Sequence, residues 1–442
     1  MRREHPPIPV AVPKVSAHRA RRVRLARALK SGVVLIPTAP EVMRNADSNY
    51  DFRWDSHFYY LSGFREPEAV LAIVLGRKPR HILFCRDKNL EREMWDGFRF
   101  GPAQAAETFA FDDAQSIDRL DAVIPDLMAE AGRIHTPIGV SRAWDERITG
   151  WMNAARDRRP HDPPALSLHD VMSIVGEMRK VKDATEIGIL AKAGDIASAA
   201  HMRAMRFARP GMHEYEVEAE IIHEFMRNGA RQPAYGSIVA AGANACVLHY
   251  SENSAPIGKG DLLLIDAGCE YQSYAADVTR TFPAGGKFSA AQRDVYEVVL
   301  EAQMACIAAV RPGASVGWFR DVAVKVLSQG LIDLKLVKGS LDAVIETARY
   351  KQFYMHGAGH WLGLDVHDAG VYKRNGQWVK FEAGNVVTVE PGLYIRPAPG
   401  VPRHFWDIGV RIEDDIVVTA TGNRNLTTCP KRVADIEALT AA

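Results

Sequence analysis

The 442-residue sequence predicts two domains of different class, an α/β N-terminal domain at residues 1–177 and an α+β C-terminal domain at residues 178–442. Three observations carry this division. The length exceeds what one hydrophobic core usually organises. A Pro- and Arg-rich stretch from Arg156 to Asp170, RDRRPHDPPALSLHD, holds too many helix breakers to be an element interior and reads as an interdomain connection. The apolar patterning also differs on its two sides: strands interleaved with a helix before it, long helices followed by a run of strands after it.

Taken in order, Val15–Leu29 reads as a basic surface helix, with an organellar transit segment or an RNA-binding arm as the sharper alternatives. Val70–Leu75 and His81–Cys85 are strand-like apolar runs, and Asp113–Glu130 has helical spacing. Asp183-x-x-Glu186 forms a capping box for a helix that runs to Phe207 and stops before Pro210-Gly211. A second amphipathic helix spans Glu214–Arg227 and ends at Gly229. Beyond residue 235 come strand-like runs at Gly236–Gly242, Leu262–Ala267, Val278–Phe282, Val386–Glu390 and Val410–Val418, with helices at Ala290–Val310 and Ser315–Gln329 between them.

Composition excludes several classes. With 47% hydrophobic and 25% charged residues the chain is built to bury a core, and 55 basic against 54 acidic residues leave a formal charge of +1, so nucleic acid is not an expected partner. No apolar run reaches the roughly 18 residues a membrane span needs, so no membrane is expected either. The N-terminus lacks the apolar stretch of a signal peptide, and Cys85, Cys246, Cys269, Cys306 and Cys429 form no CxxC pair. A reducing, cytoplasmic location is the expectation.

The chemistry is concentrated in acids set inside apolar runs, where a charge is costly to bury unless paired or metal-bound. Asp266 ends Leu262-Leu-Leu-Ile, and Asp277 follows Tyr274-Ala-Ala. A symmetric hairpin turning at Tyr271-Gln272 would set these carboxylates directly opposite each other, an arrangement that calls for a cation between them. His356, His360 and His367 fall within twelve residues among glycines, outside any HExxH or cysteine-based zinc spacing. Glu390 in TVEPGLY and Glu413 in VRIEDD repeat the theme. Four carboxylates balance two divalent cations, with one imidazole completing an oxygen-rich set that suits Mn²⁺ or Co²⁺, with Zn²⁺ or Fe²⁺ as alternatives.

These motifs bring a family into view. IDAGCEYQSYAADVTRTF, HGAGHWLGLDVHD, TVEPGLYI and GVRIEDD resemble, in order and spacing, the metal set of the pita-bread metallopeptidases, which include methionine aminopeptidase, prolidase and aminopeptidase P. The N-terminal segments EVMRNADSNYDFRWDSHFYYLSGFREPEAV and EMWDGFRFG are similar to those of bacterial aminopeptidase P, whereas a methionine aminopeptidase would lack such a domain. The resemblance implies a creatinase-like N-terminal domain serving assembly and access, and a pita-bread catalytic domain. It implies that Asp266 and Asp277 bind one metal and Asp277, His360, Glu390 and Glu413 the other, with Asp277 and Glu413 bridging and a hydroxide between the ions as nucleophile. Glu390 becomes the proton acceptor. His367 and His249 stabilise the tetrahedral intermediate or hold the substrate backbone, His356 contacts the proline side, and Arg411 with Tyr394 forms a relay behind the bridging acids.

The same resemblance places Trp95 as an aromatic that closes a neighbouring subunit's pocket, and Asp47 as an acid reaching the relay in trans. It therefore implies a homo-oligomer, a dimer or tetramer, acting on peptides with proline in second position. Proline lacks an amide hydrogen, so an apolar, ring-shaped pocket accepts it. The nearest alternative is a prolidase restricted to Xaa-Pro dipeptides, and the more distant one a non-catalytic pita-bread protein-binding module.

Overall fold

A computed structural model describes residues 15–441. Two compact units divide the chain, the first ending at Met178 and the second beginning at Arg179. In the first, β1 (Val33–Pro37), β4 (Val70–Val74), β5 (Arg80–Cys85), β6 (Asp113–Ser116), β7 (Arg133–Thr136) and β8 (Ser167–Asp170) form a six-stranded mixed sheet in the order β6-β5-β4-β1-β7-β8, while β2 (Met43–Asn45) and β3 (Ser48–Asn49) make a separate hairpin. Val33, Leu35, Val70, Ala72, Ile82 and Phe84 alternate onto one face and pack against the helices Leu120–Ala131 and Arg142–Asp157.

Three readings of this unit need correction. The Pro- and Arg-rich stretch is part of the first unit: Arg156 and Asp157 close a helix, and Ser167–Asp170 pairs in parallel with β7 as the edge strand. All four of its residues are exposed, so no apolar alternation marked it as a strand. Asp113–Ser116 is likewise an edge strand, and the helix begins only at Leu120. The helix Val15–Leu29 has the expected bounds but buries two of its arginines. The Arg22 guanidinium donates to the carbonyls of Leu61, Phe109 and Ala110, at the C-terminal ends of the helices Ser56–Ser62 and Gly101–Phe109, where orphan carbonyls carry partial negative charge. Residues 1–14 of the basic N-terminus lie outside the described residues.

The second unit follows the expected sequence of helices and strands. Asp183 and Glu186 form the capping box of the helix Ala184–Phe207, which is followed by Glu214–Arg227, Ala290–Ala309 and Val316–Asp333. Its strands are β9 (Gln232–Pro233), β10 (Ile238–Ala241), β11 (Leu262–Asp266), β12 (Cys269–Tyr271), β13 (Tyr274–Ala275), β14 (Thr279–Pro283), β15 (Lys373–Arg374), β16 (Gln377–Trp378), β17 (Val386–Val389), β18 (Gly392–Ile395), β19 (Ile408–Arg411), β20 (Asp414–Val418) and β21 (Asn423–Asn425). They pair in small sheets, β10-β11-β14, β13-β12-β9, β17-β20-β21 and β18-β19 among them, around one apolar core shared with the helices. The run Val410–Val418 is two strands in different sheets, broken at Ile412-Glu413. At that corner the Glu413 amide leaves its strand partners and donates to the Thr279 carbonyl at 3.1 Å, which sets Glu413 beside the hairpin of Asp266 and Asp277.

Candidate active site

The hairpin register differs from the expected one. Asp266 lies opposite Thr279, and Tyr271 opposite Tyr274, so the turn falls at Gln272-Ser273 rather than Tyr271-Gln272. Both turn residues are left-handed, with φ 49° and φ 74°. The shift of two keeps Asp266 and Asp277 on one face but makes them diagonal neighbours instead of direct opposites. Gly268 permits the close approach between them, since a Cβ there would sit 1.7 Å from the Ala276 carbonyl oxygen. The two carboxylates converge on the Tyr235 hydroxyl, which is 2.6 Å from Oδ1 of each.

The remaining donors close around this pair. Asp277, His360 and Glu413 offer ligand atoms that lie within 4.8 Å of one another. His360 Nε2 is 3.4 Å from Asp277 Oδ2 and 3.9 Å from Glu390 Oε1. Its Nδ1 is 3.0 Å from the Trp361 carbonyl, an acceptor that fixes the tautomer and leaves Nε2 facing the acids. All five residues read as ligands, Asp266, Asp277, His360, Glu390 and Glu413, are thus brought together.

Behind them runs a hydrogen-bonded chain. Arg411 donates to Asp266 Oδ2 at 2.7 Å, to the Tyr394 hydroxyl at 2.9 Å and to Thr279 Oγ1 at 3.2 Å, and Thr279 donates to Glu413 Oε2 at 2.7 Å. The relay therefore holds Asp266 directly and Glu413 through Thr279. His356 Nε2 joins it at 2.9 Å from the Tyr394 hydroxyl. The His367 ring stands 4.2 Å from that of His360, edge to face, and His249 lies exposed on the turn after Cys246, near enough for its charge to act on both His356 and His367. Tyr235 and Thr279 were not singled out in the sequence. A lone tyrosine in PAYGS carries no signal, whereas Thr279 follows Asp277 by two on the same face and was findable from the strand period. Asp47 is exposed in the turn between β2 and β3, and Trp95 is 80% exposed on the helix Leu90–Asp96. Core packing does not account for Trp95.

The electrostatics are those of a set lacking cations. Burial, then the charges of Asp277, Glu390 and Asp266, push Glu413 well above the carboxylate range, and burial with the neighbouring acids raises Glu390 to about 7. Burial disfavours a charged His360, but the hydrogen bond and charge of Asp277 outweigh it and hold the imidazole up to about 9. Four carboxylates, those of Asp277 and Glu413 buried and those of Asp266 and Glu390 partly so, face one guanidinium and one imidazole, and divalent cations with oxygen and nitrogen ligands match that surplus.

The Metallopeptidase family M24 model matches residues 188–420, and the Aminopeptidase P, N-terminal domain model matches residues 18–135. The Xaa-Pro aminopeptidase of Escherichia coli strain K12 is 43% identical over 428 residues, 96% of this chain and 97% of that protein. That of Haemophilus influenzae is 42% identical over 426 residues, 95% of this chain and 96% of the other. Among solved structures, Pseudomonas aeruginosa aminopeptidase PepP superposes with a TM-score of 0.94 at 44% identity, covering 97% of this chain and 98% of its own. Zinc-substituted E. coli aminopeptidase P in complex with product gives a TM-score of 0.93 at 42% identity, with the same coverage. The fold and donor set are those of a divalent-metal peptidase. The chain belongs to metallopeptidase family M24, and within it to the aminopeptidase P group, which confirms the family and the two-part fold class read from the motifs.

Proposed function

We propose that this chain removes the N-terminal residue from peptides with proline in second position, using two divalent ions. The observation that carries the reading is the convergence of Asp266, Asp277, His360, Glu390 and Glu413 on one largely enclosed point with a surplus of negative charge. Asp266 and Asp277 would hold one ion, and Asp277, His360, Glu390 and Glu413 the other. Oxygen-rich donors with one imidazole favour Mn²⁺ over a thiolate-preferring ion, with Co²⁺ and Zn²⁺ the alternatives. When bound, such ions lower the pKa of water between them and polarise the scissile carbonyl.

The chain's own groups do the rest. Glu390, at the edge of the donor set 3.9 Å from His360 Nε2, takes up a proton at its carboxylate and returns it. His367 and His249 hold the substrate backbone and the oxyanion that develops on the carbonyl. Burial pushes His356 down to about 4, so it is neutral at physiological pH and presents an uncharged edge to the proline side. Arg411, with Tyr394, keeps Asp266 ionised and oriented, and through Thr279 it orients Glu413.

Trp95 and Asp47 act in trans, in a homodimer or homotetramer. Support comes from the exposed apolar side chains Met43, Tyr50, Leu90, Met94, Trp95 and Phe98 on the first unit. All five cysteines are free and buried, consistent with a reducing compartment such as the cytoplasm, and no helix among the described residues is long and apolar enough to cross a membrane.

The test is peptide length. With Mn²⁺ added, an Xaa-Pro-Yaa-Yaa peptide should be cleaved at the Xaa-Pro bond, and cleavage of only the Xaa-Pro dipeptide would make the enzyme a prolidase. Loss of hydrolysis on chelation and its return with Mn²⁺ completes the test, while activity persisting in metal-stripped protein overturns the dinuclear reading.

A further inference from the structure

We propose that Arg179 and Lys182, at the start of the second unit, form an ionic clamp on Asp368 that positions His367, a role that rests on the reading of His367 given above. The Asp368 carboxylate is gripped by Lys182 Nζ at 2.9 Å and by the Arg179 guanidinium, which also reaches Asp365 at 2.6 Å. The side chains of Arg179, Lys182 and Asp368 are each 1% exposed. Both cations precede the residues that match the M24 family, 188–420.

The clamp is rooted in the site at both ends. The Lys182 amide donates to the Gly384 carbonyl at 2.9 Å, and Asn385 Nδ2 donates to the Lys180 carbonyl at 3.2 Å. Gly384 and Asn385 lead into β17, which delivers Glu390. At the other end the loop 361–368 closes on itself: the Asp368 amide donates to the Trp361 carbonyl at 2.9 Å, the Gly363 amide to the Asp365 carbonyl at 3.1 Å, and the Asp365 amide to Asp368 Oδ1 at 3.3 Å. A Cβ on Gly363 would meet Asp368 Oδ2 at 2.4 Å and Lys182 Cε at 2.9 Å, so the clamp packs directly on this backbone. The Gly363 carbonyl in turn accepts from the Ala275 amide at 2.8 Å, two residues before Asp277.

His367 sits one residue from the clamped carboxylate. Its ring is exposed and its only described ring contact is with His360, so its place follows from the backbone that carries it. Stability is a weak reason for such a cluster, because buried ion pairs often contribute no more than apolar replacements of equal size. Fixing one arrangement is the better-supported use. Arg179 and Lys182 are positioning residues: they act through the Asp368 carboxylate, and they set where the imidazole stands.

A double-mutant cycle on kcat tests this, using the Mn²⁺-loaded full chain and an Xaa-Pro-Yaa-Yaa peptide. Lys182→Met should lower kcat by about tenfold to a hundredfold, with metal content kept and KM changed far less. Lys182→Arg should restore most of the loss. In Lys182→Met/His367→Ala, kcat should equal that of His367→Ala alone, because both changes remove one contribution. In metal-free protein, amide hydrogen exchange across 361–368 should rise in Lys182→Met. Multiplicative losses in the double variant, or unchanged exchange, overturn the clamp. Full activity in His367→Ala overturns the role of His367 and the clamp with it, whereas a loss there beside wild-type kcat in Lys182→Met overturns the clamp alone. Should Lys182→Met fail to fold, Arg179→Lys, which keeps the charge and loses the fork, is read in the same cycle.

Discussion

The residues 413–415 hold three consecutive buried acids in two opposite situations. Glu413 faces Asp277, Glu390 and Asp266 and is pushed well above the carboxylate range, burial being the largest cause. Asp414, next in the chain, faces the other way. It accepts from Arg280 at 2.7 Å, Gln303 at 2.9 Å, Asn425 at 2.7 Å and from Lys431. Burial works against its charge too, yet the two cations hold it down to about 2. Asp415 turns back toward the site, accepting from the Asp277 amide at 3.2 Å, and burial again pushes it well up. Burial is thus common to both kinds of acid, and charge balance separates them. An acid matched by cations ties strands together, while acids matched only by one another mark where cations are to be bound.

The largest expected effect breaks the two apart by a single atom exchange on each side. Glu413→Gln keeps size and can still accept from Thr279, but removes an ionisable acid from the cluster. Hydrolysis should fall by about a thousandfold or more, some 4 kcal/mol of barrier at about 1.4 kcal/mol per decade. Urea denaturation of the metal-free variant should show stability equal to or above that of the parent, since the cost of burying an ionisable acid among three others, whether as repulsion or as protonation, is gone. Asp414→Asn should do the reverse, destabilising metal-free protein by about 3–5 kcal/mol as Arg280 and Lys431 lose their counter-charge. If Glu413→Gln destabilises the metal-free protein as much as Asp414→Asn does, the distinction fails.

Acidity gives the next effect. Glu390 lies near 7 and His360 near 9 in the metal-free site, both above their ordinary values. The native state therefore holds more protons than the unfolded chain from about pH 4.5 to 9, and this contribution to stability is present at low pH and lost as pH rises. Bound cations displace those protons, so the stabilisation added by saturating Mn²⁺ should grow across the same window, by about 1.4 kcal/mol per pH unit for each proton displaced. A group outside the cluster such as His18, which burial holds down to about 3, contributes alike with and without metal and cancels in the difference. Thermal midpoints with chelator and with Mn²⁺ at pH 5.5, 7 and 8.5 measure it. An increment flat with pH would show the cluster to be charge-balanced already.

The sequence made one side of this comparison far easier to see than the other. Acids interrupting apolar runs, and histidines crowded among glycines, stand out because neither pattern suits a core, and motif order then supplied the family. The hairpin register was off by two because its turn residues, Gln272 and Ser273, adopt left-handed conformations without the Asn-Gly or Asp-Gly signal that marks such turns. The edge strands Asp113–Ser116 and Ser167–Asp170 were missed because neither is buried enough to alternate. Arg179 and Lys182 look in sequence like any basic surface turn. Only their distance to Asp368, more than 180 residues onward, shows them to be buried. Charge partners far apart in the chain leave no local pattern to read.

The smallest expected effect isolates burial with the cation held constant. Arg179 pairs with carboxylates of unlike exposure, among them Asp368, whose side chain is 1% exposed, and Asp365, whose side chain is 46% exposed. Asp368→Asn removes the buried carboxylate that Arg179 and Lys182 share and should cost about 3–5 kcal/mol, as at Asp414. Asp365→Asn should cost less than about 1 kcal/mol, because water screens the exposed acid, an asparagine oxygen can still accept from the guanidinium, and Asp368 stays as its buried counter-charge. Measured side by side in the metal-free protein, the two variants compare an exposed with a buried partner of the same guanidinium. Equal losses would mean that the number of charges around Arg179 matters more than their burial, and the contrast between Glu413 and Asp414 would then have to rest on the count of neighbouring acids alone.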